Sequence, residues 1–582
     1  MGGALTSIPM TQDAESLWRG SAYRHPTPWA TGFPPLSLVD MFEATARTYP
    51  DRPLLDFLGR RYSYAEVVDG AARVATGLAR MGYGPGDRIG LFLPNVPHYL
   101  AAYYGVLKLG ATVVNFSPLY TVDELAHQVE DSGTKLLFTL SASALLPTAL
   151  KVLDQSGLER LVVGSVAGAL PATKSLFYRL FRGKEVTKRP DDARITAFSA
   201  LIANDGKYDF PAIDPATQLA LIQYTGGTTG TPKGAMLTHQ NLSANARQVE
   251  GLDPHPGDED RIIGVLPLFH VFANTCVMNR TVANGGMIVL LPRFDGAQVL
   301  AAIERTKATA LPGVPTMYQA LLDHPKLASA DLSSLKYCIS GGAPLPAEVK
   351  AKFEAATGAR VIEGYGLSES SGVVSCNPYE AEGKLGTIGQ PIPATEVRLA
   401  DKEDASRPAP DGQPGEILVR GPQIMKGYWN RPDADAGVFV PDDGGAWLRT
   451  GDVGTIDADG FIHVVDRLKD MIAVSGFKVF PSQIEAVLYR HPAVKEALVI
   501  GVPDTYRGEQ PRAYVTLNDG APATGDEIKA WLNPQLGHHE RVDQVVVRLA
   551  LPKTLVGKLS RKELVAEVQA EMRDPNVTVP DR

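Results

Sequence analysis

A dense run of hydrogen-bond donors lies in the segment 224–234, which reads Tyr-Thr-Gly-Gly-Thr-Thr-Gly-Thr-Pro-Lys-Gly. Its four glycines allow the backbone to turn sharply and to approach a ligand closely, and exposed backbone N–H groups in such a turn can hold phosphate oxygens. Hydroxyl donors come from Thr225, Thr228 and Thr229, and Lys233 adds a positive charge. The segment therefore predicts a phosphate-binding loop.

Two common nucleotide-binding templates do not describe this loop. A Walker A loop needs Gly-Lys followed by Ser or Thr, whereas Lys233 stands between Pro232 and Gly234. The dinucleotide pattern G-x-G-x-x-G is also absent from the loop. The alternative is a glycine–threonine hairpin without a ligand, but packing alone hardly explains so many donors beside a lysine.

Short apolar runs alternate with helical patterns around this loop, which is typical of βαβ units in a mainly parallel sheet. The predicted strands are Ile89–Leu93, Leu136–Leu140, Leu161–Val163, Arg261–Val265, Met287–Leu291 and Lys336–Ser340, and predicted helices are Ala65–Met81 and Val122–Asp131. Ser406–Gly415 is rich in Pro, Asp and Gly and predicts a surface turn. After Asp470 the pattern becomes mixed, and the remaining roughly 110 residues suffice for a small α+β domain.

Composition narrows the classes of protein. The chain has 582 residues, 44% of them hydrophobic, and a net charge of −8. These values exclude wholesale disorder, and they argue against general binding of nucleic acid, which needs a basic face. Cys276, Cys338 and Cys376 show no CxxC spacing, so a zinc knuckle or disulfide framework is not expected and a reducing compartment is favoured.

A locally basic stretch at Ser165–Asp192 interrupts the alternation. Between positions 174 and 189 it has six basic residues and one acidic residue, beside several apolar side chains. Such a segment can lie on an anionic bilayer; the alternative is a solvated surface insertion. The first twenty residues lack the plan of a signal peptide, although they match the short myristoylation pattern. We expect a cytoplasmic protein, with the inner face of a membrane as a peripheral contact.

Motifs along the chain resemble those of the adenylate-forming superfamily, which includes acyl-CoA synthetases, luciferases and peptide-synthetase adenylation domains. They occur in family order and span about 500 residues. Besides the loop at 224–234, the matching segments are Arg61–Glu66, Lys108–Ala111, Pro267–His270, Tyr365–Glu369, Thr450–Asp452, Asp466–Asp470 and Pro552–Lys558. Within the family, Asn115–Thr121 and the loop look most like bacterial long-chain fatty acyl-CoA ligases.

The resemblance implies a reaction in two halves. A carboxylate attacks the α-phosphate of ATP and releases pyrophosphate, and the thiol of coenzyme A then attacks the acyl-adenylate and releases AMP. It implies that Lys558 bridges the carboxylate and the α-phosphate, and that Glu369 and Thr228 hold Mg²⁺. ATP, Mg²⁺ and coenzyme A are the expected cofactors, and a fatty acid is the expected partner. No nucleic-acid partner is expected.

The resemblance also assigns residues to the nucleotide. It implies that Tyr365 stacks on adenine, that Asp452 accepts hydrogen bonds from both ribose hydroxyls, and that Arg467 assists at the ribose or phosphates. The full set expected at ATP or AMP is Thr225, Gly226, Gly227, Thr228, Thr229, Gly230, Lys233, Gly341, Gly342, Ala343, Tyr365, Gly366, Ser368, Asp452 and Arg467.

Two half-reactions in one site give a reason for a mobile domain. By resemblance, Lys469 is the hinge about which a C-terminal domain rotates, which withdraws Lys558 and presents a channel for coenzyme A. That channel would be formed by Ser475, Gly476, Phe477 and Lys478. Gly476 has no side chain and can therefore line a narrow passage.

An apolar acyl pocket is expected beside the nucleotide, because burial of methylenes stabilises a bound alkyl chain. His270 lies among apolar residues, so a gate or positioning role is favoured over that of a general base. The other residues expected in the pocket are Val271, Gly313, Val314, Gly372 and Val373. The end of the pocket cannot be identified from the sequence.

The fold class expected is α/β, with a large N-terminal domain of βαβ-type sheets flanked by helices (residues 1–468) and a small mobile α+β lid (residues 469–582). The expected activity is ATP-dependent ligation of a long or medium-long fatty acid to coenzyme A. The alternatives are a dicarboxylic, aryl or medium-chain acid, transfer to a carrier protein, or a silent lipid-binding protein. The oligomeric state stays open, a homodimer included.

Overall fold

The computed structural model describes residues 14–171, 173–175, 185–225, 232–255, 257, 259–475, 477–518, 520–554 and 557–573. Two large sheets form most of the N-terminal part. The first is parallel over its centre and antiparallel at both edges. Its strands, in spatial order, are β16 (Gln390–Pro391), β15 (Ser375–Cys376), β14 (Arg360–Tyr365), β13 (Tyr337–Gly341), β12 (Ala310–Gly313), β10 (Arg261–Gly264), β11 (Met287–Leu290), β1 (Pro53–Phe57) and β2 (Arg60–Ser63).

The second large sheet is also mainly parallel, and an antiparallel hairpin carries the glycine-rich loop. That loop joins the ends of β8 and β9, where Thr225 pairs with Lys233. The strands in spatial order are β19 (Gly427–Tyr428), β9 (Lys233–Thr238), β8 (Leu219–Thr225), β4 (Thr112–Asn115), β3 (Arg88–Leu91), β5 (Leu136–Leu140), β6 (Arg160–Gly164) and β7 (Ile195–Ala197).

Two smaller sheets follow along the chain. The third is antiparallel and contains β17 (Glu396–Ala400), β18 (Gly415–Arg420), β21 (Trp447–Ile456), β20 (Phe439–Val440) and β22 (Ile462–Arg467). The fourth lies in the C-terminal part and contains β24 (Phe477–Val479), β23 (Ile472–Val474), β26 (Gly508–Leu517), β25 (Val494–Asp504) and β27 (Val545–Val547). The turn predicted at 406–415 joins β17 to β18.

Helices cover the large sheets, and their ends follow local sequence signals. The longest of those described, α3, begins after Ser63, whose hydroxyl accepts from the Glu66 N–H while the Glu66 carboxylate accepts from the Ser63 N–H. The helices are α1 (Ala14–Arg19), α2 (Leu38–Thr48), α3 (Tyr64–Arg80), α4 (Pro97–Lys108), α5 (Val122–Ser132), α6 (Leu146–Gln155), α7 (Val166–Ala169), α8 (Phe198–Leu201), α9 (His239–Glu250), α10 (Val271–Ala273), α11 (Arg280–Asn284), α12 (Gly296–Thr306), α13 (Pro315–Leu322), α14 (Ala347–Thr357), α15 (Pro432–Val438), α16 (Pro481–Leu488), α17 (Gly525–Leu532) and α18 (Arg561–Arg573).

Alternating apolar runs therefore predicted the right class of fold. The strands expected at 136–140, 161–163 and 336–340 correspond to β5, β6 and β13, and the helix expected at 65–81 corresponds to α3. The large α/β part and the smaller C-terminal α+β part are confirmed. The boundary between residues 468 and 469 stays a prediction; β22 ends at Arg467 and β23 begins at Ile472.

The basic stretch at 165–192 is described only in part, because residues 172 and 176–184 lie outside the described residues. At its start, Ala167, Ala169 and Leu170 are buried. The Lys174 ammonium donates to the backbone oxygen of Leu58 at 2.7 Å. Among the described residues, no helix has the length and apolar character to cross a membrane.

A π-helix, Asn274–Asn279, lies between α10 and α11, and all of its residues are buried. Such segments are rare and often occur at functional sites. Directly after it, the fully buried guanidinium of Arg280 pairs with the carboxylates of Asp253 and Asp260. The same group donates to the Tyr337 hydroxyl at 3.1 Å. We call Asp253, Asp260, Arg280 and Tyr337 the Arg280 cluster.

We predict that Arg280→Met strongly destabilises the N-terminal part, because it leaves two buried carboxylates without a cation. Breaking a buried ion pair from one side typically costs about 3–5 kcal/mol. Urea unfolding followed by tryptophan fluorescence measures the loss. As a control, Lys307→Met breaks an exposed pair with Asp331 and should leave the midpoint nearly unchanged. Equal shifts in the two variants would contradict the assignment.

Candidate active site

A cleft of about 2690 Å³ separates the carboxyl ends of β13 and β14 from the C-terminal part of the chain. Side chains from both parts line it. Most of the residues expected at a nucleotide and described here lie along its walls: Thr225, Gly341, Gly342, Ala343, Tyr365, Gly366, Ser368, Asp452 and Arg467. Lys233 is described but is not among the residues that line the cleft, and the loop residues Gly226, Gly227, Thr228, Thr229 and Gly230 lie outside the described residues.

The buried carboxylate of Asp452 is the centre of a tight group of side chains. Its Oδ1 lies 2.9 Å from Arg467 Nε, and its Oδ2 accepts from the hydroxyl of Tyr365. Asp452 on β21 pairs with Arg467 at the end of β22, whereas Tyr365 reaches them from the end of β14 in the first sheet. Burial raises the pKa of Asp452, whereas Arg467 and Tyr365 oppose that rise. The carboxylate is thus fixed and oriented as an acceptor in the cleft.

Glu369 lies in a short turn that several contacts hold in place. Its Oε1 accepts from the Tyr428 hydroxyl at 2.7 Å, and its backbone oxygen accepts from the Met425 N–H at 2.8 Å. Ser371 in the same turn has a positive φ of 58°, and the Thr275 hydroxyl donates to its backbone oxygen at 2.5 Å. The turn therefore presents one oriented carboxylate to the cleft.

Lys558 reaches the cleft from a loop of the C-terminal part. Its side chain crosses Gly342, where an added Cβ would lie 2.2 Å from Lys558 Cε. The loop is attached to the N-terminal part by Thr316, whose hydroxyl donates to the Gly557 oxygen at 2.9 Å. Burial, and secondly the Arg467 charge, lower the pKa of Lys558 to about 8. Its ammonium group therefore loses its proton at mildly alkaline pH.

Further cations surround this end of the cleft. Lys469 lines it, and burial together with the charges of Arg467 and Lys233 lowers the pKa of Lys469. The Lys233 ammonium lies 5.2 Å from the centroid of the Tyr428 ring. Positive charge is thus concentrated between Lys233, at the start of β9, and Lys558, which favours an anionic ligand with several charges.

His270 stands at the passage from this charged region to an apolar one. Its Nδ1 accepts from the Phe272 N–H at 3.3 Å. Burial, and secondly the Lys558 charge, lower the pKa of His270 to about 3, so the ring is neutral at physiological pH. A neutral imidazole in this position fits a wall or positioning role.

The expected acyl-pocket residues divide into two groups. His270, Val271, Val314, Gly372 and Val373 line the cleft. Gly313 is absent from that lining, and a Cβ added there would lie 3.1 Å from the Tyr318 ring. The glycine at 313 therefore supports packing behind the wall.

Of the residues expected in a coenzyme A channel, the described residues Ser475 and Lys478 do not line the cleft in this conformation. Ser475 lies in an exposed turn with φ 51°, and Lys478 is paired with Glu403 at 2.5 Å on the surface. Gly476 and the side chain of Phe477 lie outside the described residues. Lys558 therefore lies in the cleft, whereas Ser475 and Lys478 lie on the surface.

Sequence reasoning missed three residues of the site: Thr316, Glu363 and Tyr428. Glu363 lines the cleft, accepts from the Leu345 N–H at 3.1 Å, and has its pKa raised to about 7, chiefly by burial. Tyr428 orients Glu369 from 59 positions along the chain. In the sequence, Tyr428 lies between Gly427 and Trp429, which weakly indicates a packed turn. No local pattern predicts its contact with Glu369.

Comparisons with known proteins agree with this geometry. The family model described as AMP-binding enzyme matches residues 42–429, and that of the AMP-binding enzyme C-terminal domain matches residues 483–558. A long-chain-fatty-acid–CoA ligase of Bacillus subtilis (strain 168) is 40% identical over 550 residues, which cover 94% of this chain and 97% of that protein.

Two further similarities involve proteins named for aryl acids. A feruloyl-CoA synthase of Amycolatopsis sp is 37% identical over 520 residues, which cover 89% of this chain and 96% of that protein. The crystal structure of the anthranilate CoA ligase AuaEII in complex with anthranoyl-AMP has a TM-score of 0.82 at 25% identity, and the match covers 93% of this chain and 98% of that one.

These matches confirm the resemblance read from the motifs. The AMP-binding model alone covers more than half of the chain, and the Bacillus relative matches nearly all of it. The protein belongs to the AMP-binding enzyme family.

Proposed function

We propose that this protein joins a fatty acid of long or medium-long chain to coenzyme A, using ATP and passing through an acyl-adenylate. The observation that carries the proposal is one cleft in which Lys558, the Asp452–Arg467 pair and an apolar pocket meet. Membership in the family and the name of the Bacillus relative support the same reaction.

At the nucleotide end, we assign Asp452 to the ribose hydroxyls, because an ionised carboxylate with fixed orientation accepts two hydrogen bonds well. The ring of Tyr365 and the backbone at 341–343 would contact adenine. The loop residues Thr225 to Gly230 and Lys233 would hold the phosphates, and Arg467 would add charge there. Gly366 and Ser368 would complete the wall of this nucleotide site.

Mg²⁺ is the metal that the family implies, and Glu369 and Thr228 are the residues that we assign to it. The Glu369 carboxylate accepts one hydrogen bond from Tyr428 and has further lone pairs directed to the cleft, which suits a hard cation. In the described part of the chain, no three His, Cys, Asp or Glu side chains could hold a metal, so phosphate and water would supply the other ligands. When bound, the ion offsets phosphate charge.

Lys558 is assigned to the first half-reaction. A carboxylate and a triphosphate repel each other, and a cation between them lowers that repulsion in the cleft. The position of Lys558 over Gly342, beside Arg467, supports this role. We assign Lys469 as the hinge, and Ser475 to Lys478 as the channel that replaces Lys558 when coenzyme A enters. The present separation of Lys478 from the cleft fits the adenylation step.

A second candidate is ligation of an aryl acid to coenzyme A. The names of the feruloyl and anthranilate relatives favour it, and an apolar pocket could accept a ring as well as an alkyl chain. A dicarboxylic acid fits less well, because its second carboxylate would need a partner inside apolar walls. Transfer of the acyl group to a carrier protein would use the same first half-reaction. A requirement for coenzyme A distinguishes the proposed reaction from this alternative.

We predict a CoA-dependent optimum for straight-chain fatty acids over aryl and dicarboxylic acids. The physical reason is that each buried methylene adds about 0.8 kcal/mol of binding. ATP–pyrophosphate exchange and CoA-dependent AMP release, measured for all three classes of acid, test it. A preference for aryl acids would contradict the proposed class of substrate. Absence of exchange with every acid would contradict the proposed reaction.

We predict that Lys558→Ala lowers the rate of adenylation by at least about 100-fold and impairs thioester formation from supplied acyl-adenylate far less. Removing one oriented group that stabilises charge in a transition state typically lowers the rate by about this factor. The two half-reactions are measured separately, by pyrophosphate release and by acyl-CoA formation. Equal losses in both would exclude the assigned role.

The pH dependence of activity tests the role of the Lys558 charge, and Lys558→Arg is the matched control. Because its pKa in the folded protein is about 8, the cation is lost as pH rises through that value, and kcat/KM for ATP should fall on the alkaline side. Lys558→Arg keeps a positive charge to far higher pH, so its residual activity should show no such fall. The same alkaline fall in both proteins would assign the titration to another group.

We also propose that the segment 165–192 contacts anionic membranes. The triple change Lys174→Gln, Arg179→Gln and Arg182→Gln should weaken sedimentation with vesicles of anionic phosphatidylglycerol, since each basic residue near such a surface adds about 1 kcal/mol. A control with the same charge change replaces the exposed residues Lys151, Lys326 and Lys352 with Gln. Unchanged partitioning of the first variant would leave the segment a surface insertion.

A further inference from the structure

Two glycines stand side by side on the face of the first sheet that looks toward the π-helix. Gly341 on β13 is in register with Gly364 on β14. A Cβ added to Gly341 would lie 3.0 Å from the Phe272 ring, and one added to Gly364 would lie 3.9 Å from Cys376 Sγ. The Phe272 ring thus occupies the space that a side chain at position 341 would need, and Gly341, Gly364 and Phe272 together line a slot of the cleft at the carboxyl ends of the strands.

The slot continues along β13 toward the amino end of the strand. Because side chains alternate between faces, Tyr337, Ile339 and Gly341 share one face, and Cys338 and Ser340 point to the other. The walls along this path are apolar side chains, each at most 5% exposed: Val249, Leu252, Cys276, Ile339, Cys376 and Tyr379. They form an internal branch of the cleft away from the nucleotide end.

Tyr379 closes this branch against a rigid support. Its ring meets that of Tyr337 edge-on, with centroids 4.9 Å apart and an angle of 67°. Tyr337 belongs to the Arg280 cluster, in which its hydroxyl accepts from Arg280 at 3.1 Å and donates to Asp253. The imidazole of His255 stacks on Tyr337 at 5.5 Å. A ring backed by buried ion pairs resists displacement.

We propose that Tyr379 is the end wall of the acyl pocket and sets the upper length of the chain that binds without rearrangement. This inference rests on the proposed function. From Tyr337 to Gly341 the strand advances about 13 Å. An extended alkyl chain advances about 1.3 Å per methylene, given C–C bonds near 1.5 Å. About ten methylenes fit between the glycine row and the wall, so acids of about twelve carbons fill the branch.

The test is a chain-length series, from eight to eighteen carbons in steps of two, measured as kcat/KM for the acid. In the unchanged protein, kcat/KM should rise about fourfold per methylene up to the optimum and then level or fall. Tyr379→Ala should move the optimum about four carbons longer, because it removes the ring. Tyr379→Trp should move it to shorter acids.

The matched control is Phe353→Ala on α14, which also removes a buried aromatic ring. Phe353 packs against Tyr318 in the core on the opposite face of the same sheet and does not line the cleft. It should lower thermal stability and leave the optimum in place. If Tyr379→Ala does not fold, Tyr379→Leu removes the ring with a smaller loss of volume.

The outcomes separate the two proposals. Opposite shifts in the Ala and Trp variants support the end wall. An active protein whose optimum is the same in all Tyr379 variants overturns the wall and leaves the proposed function standing. Absence of activity with every fatty acid in the unchanged protein overturns the function itself. If Phe353→Ala shifts the optimal chain length as much as Tyr379→Ala does, the shift reflects a general loss of packing, and the assignment of Tyr379 as the end wall is wrong.

Discussion

Burial of charge is the constraint on which this structure depends. A charged group taken from water is stable only where neighbours replace the lost hydration. Asp452 meets this condition through Arg467 and Tyr365, and Arg280 meets it through Asp253 and Asp260. The first group lies in the cleft and the second lies deep in the N-terminal part. The first group joins β14 to β21 and β22, and the second joins α11 to the start of β13.

Lys558 is also a buried charged group, but its neighbour Arg467 carries a charge of the same sign. Burial, and secondly the positive charge of the neighbouring Arg467, lower the pKa of Lys558. A buried ammonium beside a guanidinium is favourable only when an anion joins them, as ATP would in the proposed reaction. The lysine is attached to the C-terminal part, so in the proposed reaction a movement of that part would bring the charge in for one step and withdraw it for the next. That is a physical reason for placing this group on a separate part of the chain.

One strand links the two ends of the proposed site. β13 carries Gly341 and the Lys558 contact at Gly342 near its carboxyl end, and Tyr337 at its amino end. The same ion pairs that stabilise the core therefore support the closed end of the apolar branch. A change in the Arg280 cluster would alter stability and the shape of the pocket together, because both depend on the position of Tyr337.

Local sequence determined much of what was correctly predicted. Periodicity gave β5, β6, β13 and α3 almost to the residue, because strand and helix patterns are properties of short segments. The resemblance of the motifs to a known family, in family order, predicted that Asp452, Glu369 and Lys558 share one site, and all three line the cleft.

Only the tertiary structure decided how distant segments meet. It brought Tyr428 to Glu369, Thr316 to Gly557, and Tyr379 to Tyr337, pairs separated by 59, 241 and 42 positions. It also places Gly313 behind the wall of the cleft and Lys478 on the surface of the protein. The physical reason is that such contacts depend on how sheets and helices pack in three dimensions, and the local pattern of a segment carries no information about a partner so far along the chain.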